Sequence, residues 1–220
     1  MKKYLNLLLL CAVALSAFAP HASAAPVLTD WTSSTTGTNG SASGTLVVGG
    51  STVSVSFAGD VRDLQQGHTT VFNNASAGYA GQTVFTPSLA VSDAIGTWGT
   101  AGVVNTITFS RPVSNPILWI NSLGRGGNWA AATYVQTWTF SSPFTLLSSW
   151  NVPNVPNEPL NPYKITKSGN SLIGQEGHGS IQFSGWVTSI SWTSDKAEQS
   201  AYFQVGYDDT LQPAVYASGL

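Results

Sequence analysis

Residues 45–58, TLVVGGSTVSVSFA, decide the fold. Thr45–Val48 and Ser51–Ala58 flank Gly49-Gly50, and two glycines between β-branched runs mark a two-residue hairpin, because both central positions of such a turn need positive φ. Along the second run Val53, Val55 and Phe57 fall on one side and Ser54 and Ser56 on the other. That period of two belongs to a strand with one face in a core and one in water. The chain is therefore expected to build a sheet whose outer surface is paved with hydroxyls.

The pattern recurs downstream. Val103, Asn105, Ile107 and Phe109 share one side of a strand expected to stop at Pro112, since proline cannot donate to a sheet ladder. Ile117–Ile120, ILWI, is apolar on both sides and reads as a central strand covered on both faces. Tyr134–Phe140 alternates, with Tyr134, Trp138 and Phe140 together, and Ser141-Ser142-Pro143 turns it toward Phe144–Trp150. Tyr163–Lys167 and Ser171–Ile173 flank Ser168-Gly169-Asn170 as another hairpin. Ile181 with Phe183, and Ile190 with Trp192, lie on strands either side of Gly185, and Ala201, Phe203 and Val205 close the series. No long window after the N-terminal leader keeps a helical stripe. The expectation is an all-β chain, a two-sheet antiparallel β-sandwich or jelly roll, with a closed barrel as its rival. The Trp-Thr dipeptides near Trp31, Trp138 and Trp192 recur without fixed spacing, which argues against a solenoid.

Residues 1–24, MKKYLNLLLLCAVALSAFAPHASA, have two lysines, an apolar run and a small-residue exit, the three parts of a signal peptide cleaved after Ala24. The run from Leu5 to Ala19 is short for a membrane span. Leu10 before Cys11 argues against a lipoprotein cysteine. Residues 25–220 then form one domain, with a low-complexity arm at 32–44 (TSSTTGTNGSASG) and a Pro-rich connection at 151–162 (NVPNVPNEPLNP). Cys11 is the one cysteine, so after cleavage no disulfide can form. Loss of Lys2 and Lys3 leaves six basic residues against ten acidic ones, which excludes a basic nucleic-acid groove. All eight tryptophans lie beyond residue 24.

Chemistry is sought first in ILWINSLGRGGNW, residues 117–129. Gly124, Gly126 and Gly127 permit a tight loop at a sheet end that would present Arg125, Asn128 and Trp129. A flat indole offers a platform to the C–H face of a sugar ring, and amide and guanidinium groups can bond its hydroxyls. Trp98, in IGTWGTAG, offers a second platform. Trp31, Trp119, Trp138 and Trp192 are assigned to the core, and Trp150 and Trp186 sit at strand ends where burial is the ordinary outcome. The ligand-binding set is thus Trp98, Arg125, Asn128 and Trp129.

Calcium is the metal that the acidic segments would take, although Asp60 and Asp63, Asp195 and Glu198, and Asp208 and Asp209 match no calcium-loop spacing and read as solvated turns. No metal ligand is assigned. His68 and His178 lie in no zinc signature, no serine-nucleophile elbow occurs, and no catalytic residue is assigned. A polysaccharide-degrading enzyme using Glu158 and Glu176 is the enzymatic alternative, with Glu176-Gly177-His178 read as a polar hairpin turn. The other alternative is a structural, self-associating subunit that donates the 32–44 arm or the terminal YDDTLQPAVYASGL to an open sheet edge. Membrane contact is not expected.

The phrases ITFSRPVSNPILWINSLG (107–124) and GSIQFSGWVTSISWTS (179–194) resemble secreted bacterial β-sandwich domains whose activity is not defined. The resemblance covers the latter half of the chain and implies a sandwich and export without implying a catalytic residue. Some such domains precede a Pro-Glu-Pro sorting signal with an apolar tail. The final ASGL has neither feature, so retention by that route is not expected. These readings converge on a secreted, lectin-like protein that binds glycan or polysaccharide at a cell surface or extracellular matrix.

Overall fold

A computed structural model of the chain describes residues 25–68, 72, 85–87, 89, 92–124, 134–150 and 164–208. The leader at 1–24 and the connection at 151–162 lie outside them. The strands begin with β1 (Val27–Leu28), β2 (Asp30–Thr35), β3 (Gly37–Val48), β4 (Ser51–Val61) and β5 (Asp63–His68). Then come β6 (Ser92–Thr97), β7 (Val104–Ser114), β8 (Ile117–Leu123), β9 (Gln136–Phe140) and β10 (Thr145–Trp150). Last are β11 (Ile165–Ser168), β12 (Ser171–Gly174), β13 (Gly177–Gln182), β14 (Trp186–Ser194) and β15 (Ala201–Tyr207).

They form two antiparallel sheets, a β-sandwich. One runs β10-β13-β8-β15-β6-β5, with β1 also paired to β15, and the other runs β11-β12-β9-β14-β7-β4-β3-β2. The hairpin at 45–58 forms as its sequence requires. Val48 pairs with Ser51, and Gly49 and Gly50 take φ of 55° and 76°.

The main core fills the space between the sheets and includes Val53, Val55, Phe57, Trp138, Trp192 and Phe203. Trp138 stacks on Trp192 at 5.3 Å between centroids, and Phe203 meets Trp192 edge-on at the same distance. ILWI behaves as a doubly covered strand. Leu118 and Ile120 enter the main core, while Ile117 and Trp119 join Phe72, Phe85, Leu89 and Ala94 in a second cluster. Tryptophans 31, 119, 138 and 192 are all buried as expected. Three of them place the indole N–H on an acceptor: Trp31 on Gln204 Oε1, Trp119 on Pro87 O and Trp138 on Gln136 Oε1.

Three expectations need correction. Residues 32–44 are not a loose arm, because they belong to β2 and β3. Their inward positions are Gly40, Ala42 and Gly44, and a Cβ on Gly44 would stand 2.4 Å from Asp30 O. The small residues let the edge strand approach closely, and their plainness hid the alternation. The strand expected to stop at Pro112 continues to Ser114, with the ladder to β14 broken between Thr108 and Val113 so that proline sits where no ladder bond is needed. Asp60 is fully buried inside β4 rather than solvated in a turn.

Candidate functional site

The ends of four strands of the first sheet form one rim. β6 stops at Thr97 opposite Ala201, the first residue of β15, and β8 stops at Leu123 opposite Gly177, the first of β13. The link from β6 to β7 crosses to the second sheet here, where Gly102 N donates to Ser194 O at the end of β14.

Trp98 leaves β6 at this rim with its side chain 38% exposed on a backbone fixed from several sides. Trp98 O accepts from Glu198 N at 2.7 Å, and Gly99 N donates to Thr97 Oγ1 at 2.9 Å. Gly99 has φ of 61°, and a Cβ there would stand 2.1 Å from Gln136 Nε2. That buried amide donates to the carbonyls of Gly99 and Lys196. Thr100 N donates to Asp60 Oδ2 at 2.7 Å, while Asp60 N donates to Asn105 Oδ1 at 2.9 Å. Burying Asp60 beneath the rim thus supplies an acceptor for the turn that carries the indole.

Glu198 reaches the glycine loop as well. Its Oε2 accepts from Gly124 N at 2.6 Å, so one residue ties Trp98 to the root of the segment singled out above. Arg125, Asn128 and Trp129 lie outside the described residues, and Gly124 immediately precedes them in the chain. Tyr134 sits at the same rim with the Lys196 ammonium 5.5 Å from its ring centroid. Partial burial, then the Glu198 and Asp195 carboxylates, push its phenol above the ordinary value.

A second polar cluster adjoins Gly124, whose carbonyl accepts from Glu176 N. Opposite His178 the β8–β13 ladder is irregular: Ile120 pairs with Gly179 and Leu123 with Gly177, leaving Asn121 and Ser122 against one residue. This is a bulge, and Ser122 takes φ of 65° in it. Ser122 Oγ donates to Glu176 Oε1, Ser122 N donates to His178 Nδ1 at 3.2 Å, and the Asn121 side-chain amide also meets Nδ1. Sequence reading treated Glu176 and His178 as a hairpin turn of their own. They instead clamp a kink from Asn121 and Ser122, more than fifty residues earlier. A nucleophilic serine needs its hydroxyl on an oriented base. Here the hydroxyl is directed to the carboxylate rather than to the imidazole, whose Nδ1 faces the Ser122 backbone N–H and the Asn121 side chain.

The acidic segments are solvated only in part, since Asp195 is exposed in a bend as expected while others are buried. Glu198 and Asp208 are buried, and Asp195 Oδ1 accepts from Thr137 N at 2.8 Å. Asp63 lies in β5 and reaches Arg62 at 3.8 Å. These carboxylates cap backbone N–H groups and meet nearby cations, and among the described residues no three His, Cys, Asp or Glu gather as a metal site.

Trp186 is the residue that sequence reading placed wrongly. It is 50% exposed at the opposite rim. Strict alternation puts Trp186 on the same side as Ile190 and Trp192, but the β7–β14 register shifts between Val187 and Ser189 and reverses the parity. Pro112, inside that irregular stretch, was the available signal.

The comparisons with protein-family models, curated proteins and solved structures find no match for this chain. Among the described residues no helix is long and apolar enough to cross a membrane.

Proposed function

We propose that the chain is an exported carbohydrate-binding protein that engages glycan or polysaccharide at a cell surface or in an extracellular matrix through the Trp98 rim. One observation carries the reading: an indole 38% exposed on a backbone held on both sides, by Glu198 N on Trp98 O and by Thr97 Oγ1 on Gly99 N. A platform that does not have to be ordered on binding loses little entropy when a sugar ring stacks on it. Tyr134 and Lys196 add a hydroxyl and a cation at the same rim. Arg125, Asn128 and Trp129 complete the proposed set on sequence grounds, on a loop whose root Glu198 holds.

The test is affinity electrophoresis of the purified protein through gels containing dextran, galactomannan, hydroxyethyl cellulose or alginate, with calcium and with chelator. Trp98→Ala should weaken retardation by about tenfold in dissociation constant, the order expected for loss of one stacked ring. Unchanged retardation of a Trp98→Ala protein with a native denaturation midpoint removes the reading. Loss of wild-type binding in chelator alone would assign calcium a part.

A further inference from the structure

The opposite rim holds a groove of about 490 Å³ between two links that cross from sheet to sheet. One link, Ser141–Phe144, joins β9 to β10, and the other, Phe183–Gly185, joins β13 to β14. The buried rings of Phe144 and Phe183, packed 6.1 Å apart, lie beneath it, and half-exposed Trp186 stands beside them. Ser142, Ser184 and Thr188 add hydroxyls, and the described residues that line the space carry no charge, the Lys167 ammonium standing 5.2 Å from the ring centroid of Phe144 as the nearby cation.

Trp186 is also anchored through its neighbour. Gly185, its neighbour, donates to Asn115 Oδ1 at 2.8 Å and accepts from Asn115 N at 2.8 Å, and Asn115 adopts φ of 48° to do both. Among the described residues the strand beyond is paired in full on one side only, although Ser141 N donates to Ser191 O on the other. β7 pairs with β14 from Trp186 to Thr193, whereas β9 pairs with it only from Trp192 to Ser194. Ser189 on this stretch also ends a row of exposed hydroxyls that crosses five strands, Ser33, Ser43, Ser56, Thr108 and Ser189, each paired with the next. Cross-strand partners share a face, so the row leads over the outer sheet surface to the groove.

We infer that this groove is a second carbohydrate site, taking a ring of a neutral polysaccharide on Trp186 while its chain runs along the hydroxyl row. The occupant follows from the lining. An uncharged wall of hydroxyls beside an indole suits a ligand that is hydroxyl-rich at its edge and apolar on its face, and the volume is that of a small-ligand site. The nine residues of β14 span about 27 Å, and Trp98 lies at the rim where they end, so the two platforms stand at opposite ends of the sandwich. The protein is thereby bivalent and can bridge two polymer chains; that consequence, unlike the groove itself, rests on the Trp98 reading.

The experiment uses the same four polymers with wild type, Trp186→Ala, Trp186→Phe, Trp98→Ala and the double alanine variant, and adds light scattering of protein mixed with polymer. Trp186→Ala should weaken binding to a neutral polymer about tenfold and abolish the scattering of bridged polymer, with Trp186→Phe restoring part of both. Wild-type binding by a folded Trp186→Ala protein overturns the groove, whatever Trp98→Ala does. Loss in Trp186→Ala beside full binding in Trp98→Ala keeps the groove and removes the first site together with bivalence. Binding of alginate alone, or of no polymer, overturns the inference.

Discussion

The two rims of the sandwich present tryptophan by different means. At the Trp98 rim the backbone is crowded and charged: carboxylates of Asp60, Asp195 and Glu198 each accept a backbone N–H, and Gly99 and Gly124 stand where a Cβ would collide, although Gly102 has open space. At the Trp186 rim an asparagine does the anchoring, the described residues lining the groove carry no charge, and Gly185 has open space around it. One platform is rigid because its support is packed, the other because a single αL residue bonds its neighbour twice. The rims should therefore differ in how far each tolerates change.

Glycine substitution breaks or confirms that contrast most directly. Gly124 and Gly185 both have positive φ, 86° and 81°. A Cβ at Gly124 would also stand 2.1 Å from Gly174 O, whereas at Gly185 nothing lies within 4 Å. Gly124→Ala should cost about 2–5 kcal/mol, strain plus overpacking. Gly185→Ala should cost about 1 kcal/mol, strain partly offset by a less flexible unfolded chain. Urea denaturation of both variants measures the difference, and equal losses would show that the two rims are packed alike.

Removing one support at each rim sharpens the comparison at a smaller scale. Glu198→Ala leaves the buried N–H of Gly124 without its acceptor, which should cost about 1–3 kcal/mol. Ser184→Ala, an exposed change beside the groove, should stay within about 0.5 kcal/mol. A denaturation midpoint in Glu198→Ala equal to that of Ser184→Ala would mean that the carboxylate is not what holds the loop root.

Sequence alone carried the sandwich, the 45–58 hairpin, the doubly covered ILWI strand and four buried tryptophans, because each rests on local periodicity that burial enforces. It missed features in which distant segments meet. Nothing near Glu176 indicates that its carboxylate will meet Ser122, and nothing near Asp60 shows that it will lie under the Trp98 turn. Trp186 failed for a related reason: alternation is reliable only along an unbroken ladder, and the break lies on the partner strand at Pro112. The exposure of Trp98 was legible because glycine follows it directly, and a turn that needs positive φ at Gly99 carries the preceding residue out of the sheet.

The smallest expected effect probes the charge of the crowded rim through Tyr134. Partial burial and then the carboxylates of Glu198 and Asp195 disfavour the phenolate, so its pKa lies above the usual 10.0. The neutral phenol is the form favoured in the folded protein. Its contribution to stability is therefore fully present below the unfolded value and is lost as pH rises through the folded one. The difference in ultraviolet absorbance between wild type and Tyr134→Phe, followed with rising pH, should reveal a phenol ionising above 10. Asp195→Asn should move that midpoint down only in part, because burial is the larger cause and Glu198 remains. A full return to the free-tyrosine value would make Asp195 the dominant influence, and no change would place its carboxylate too far away to act. Either result would revise the picture of a rim whose acidic groups, anchored on backbone N–H donors, still set the electrostatics around the indole.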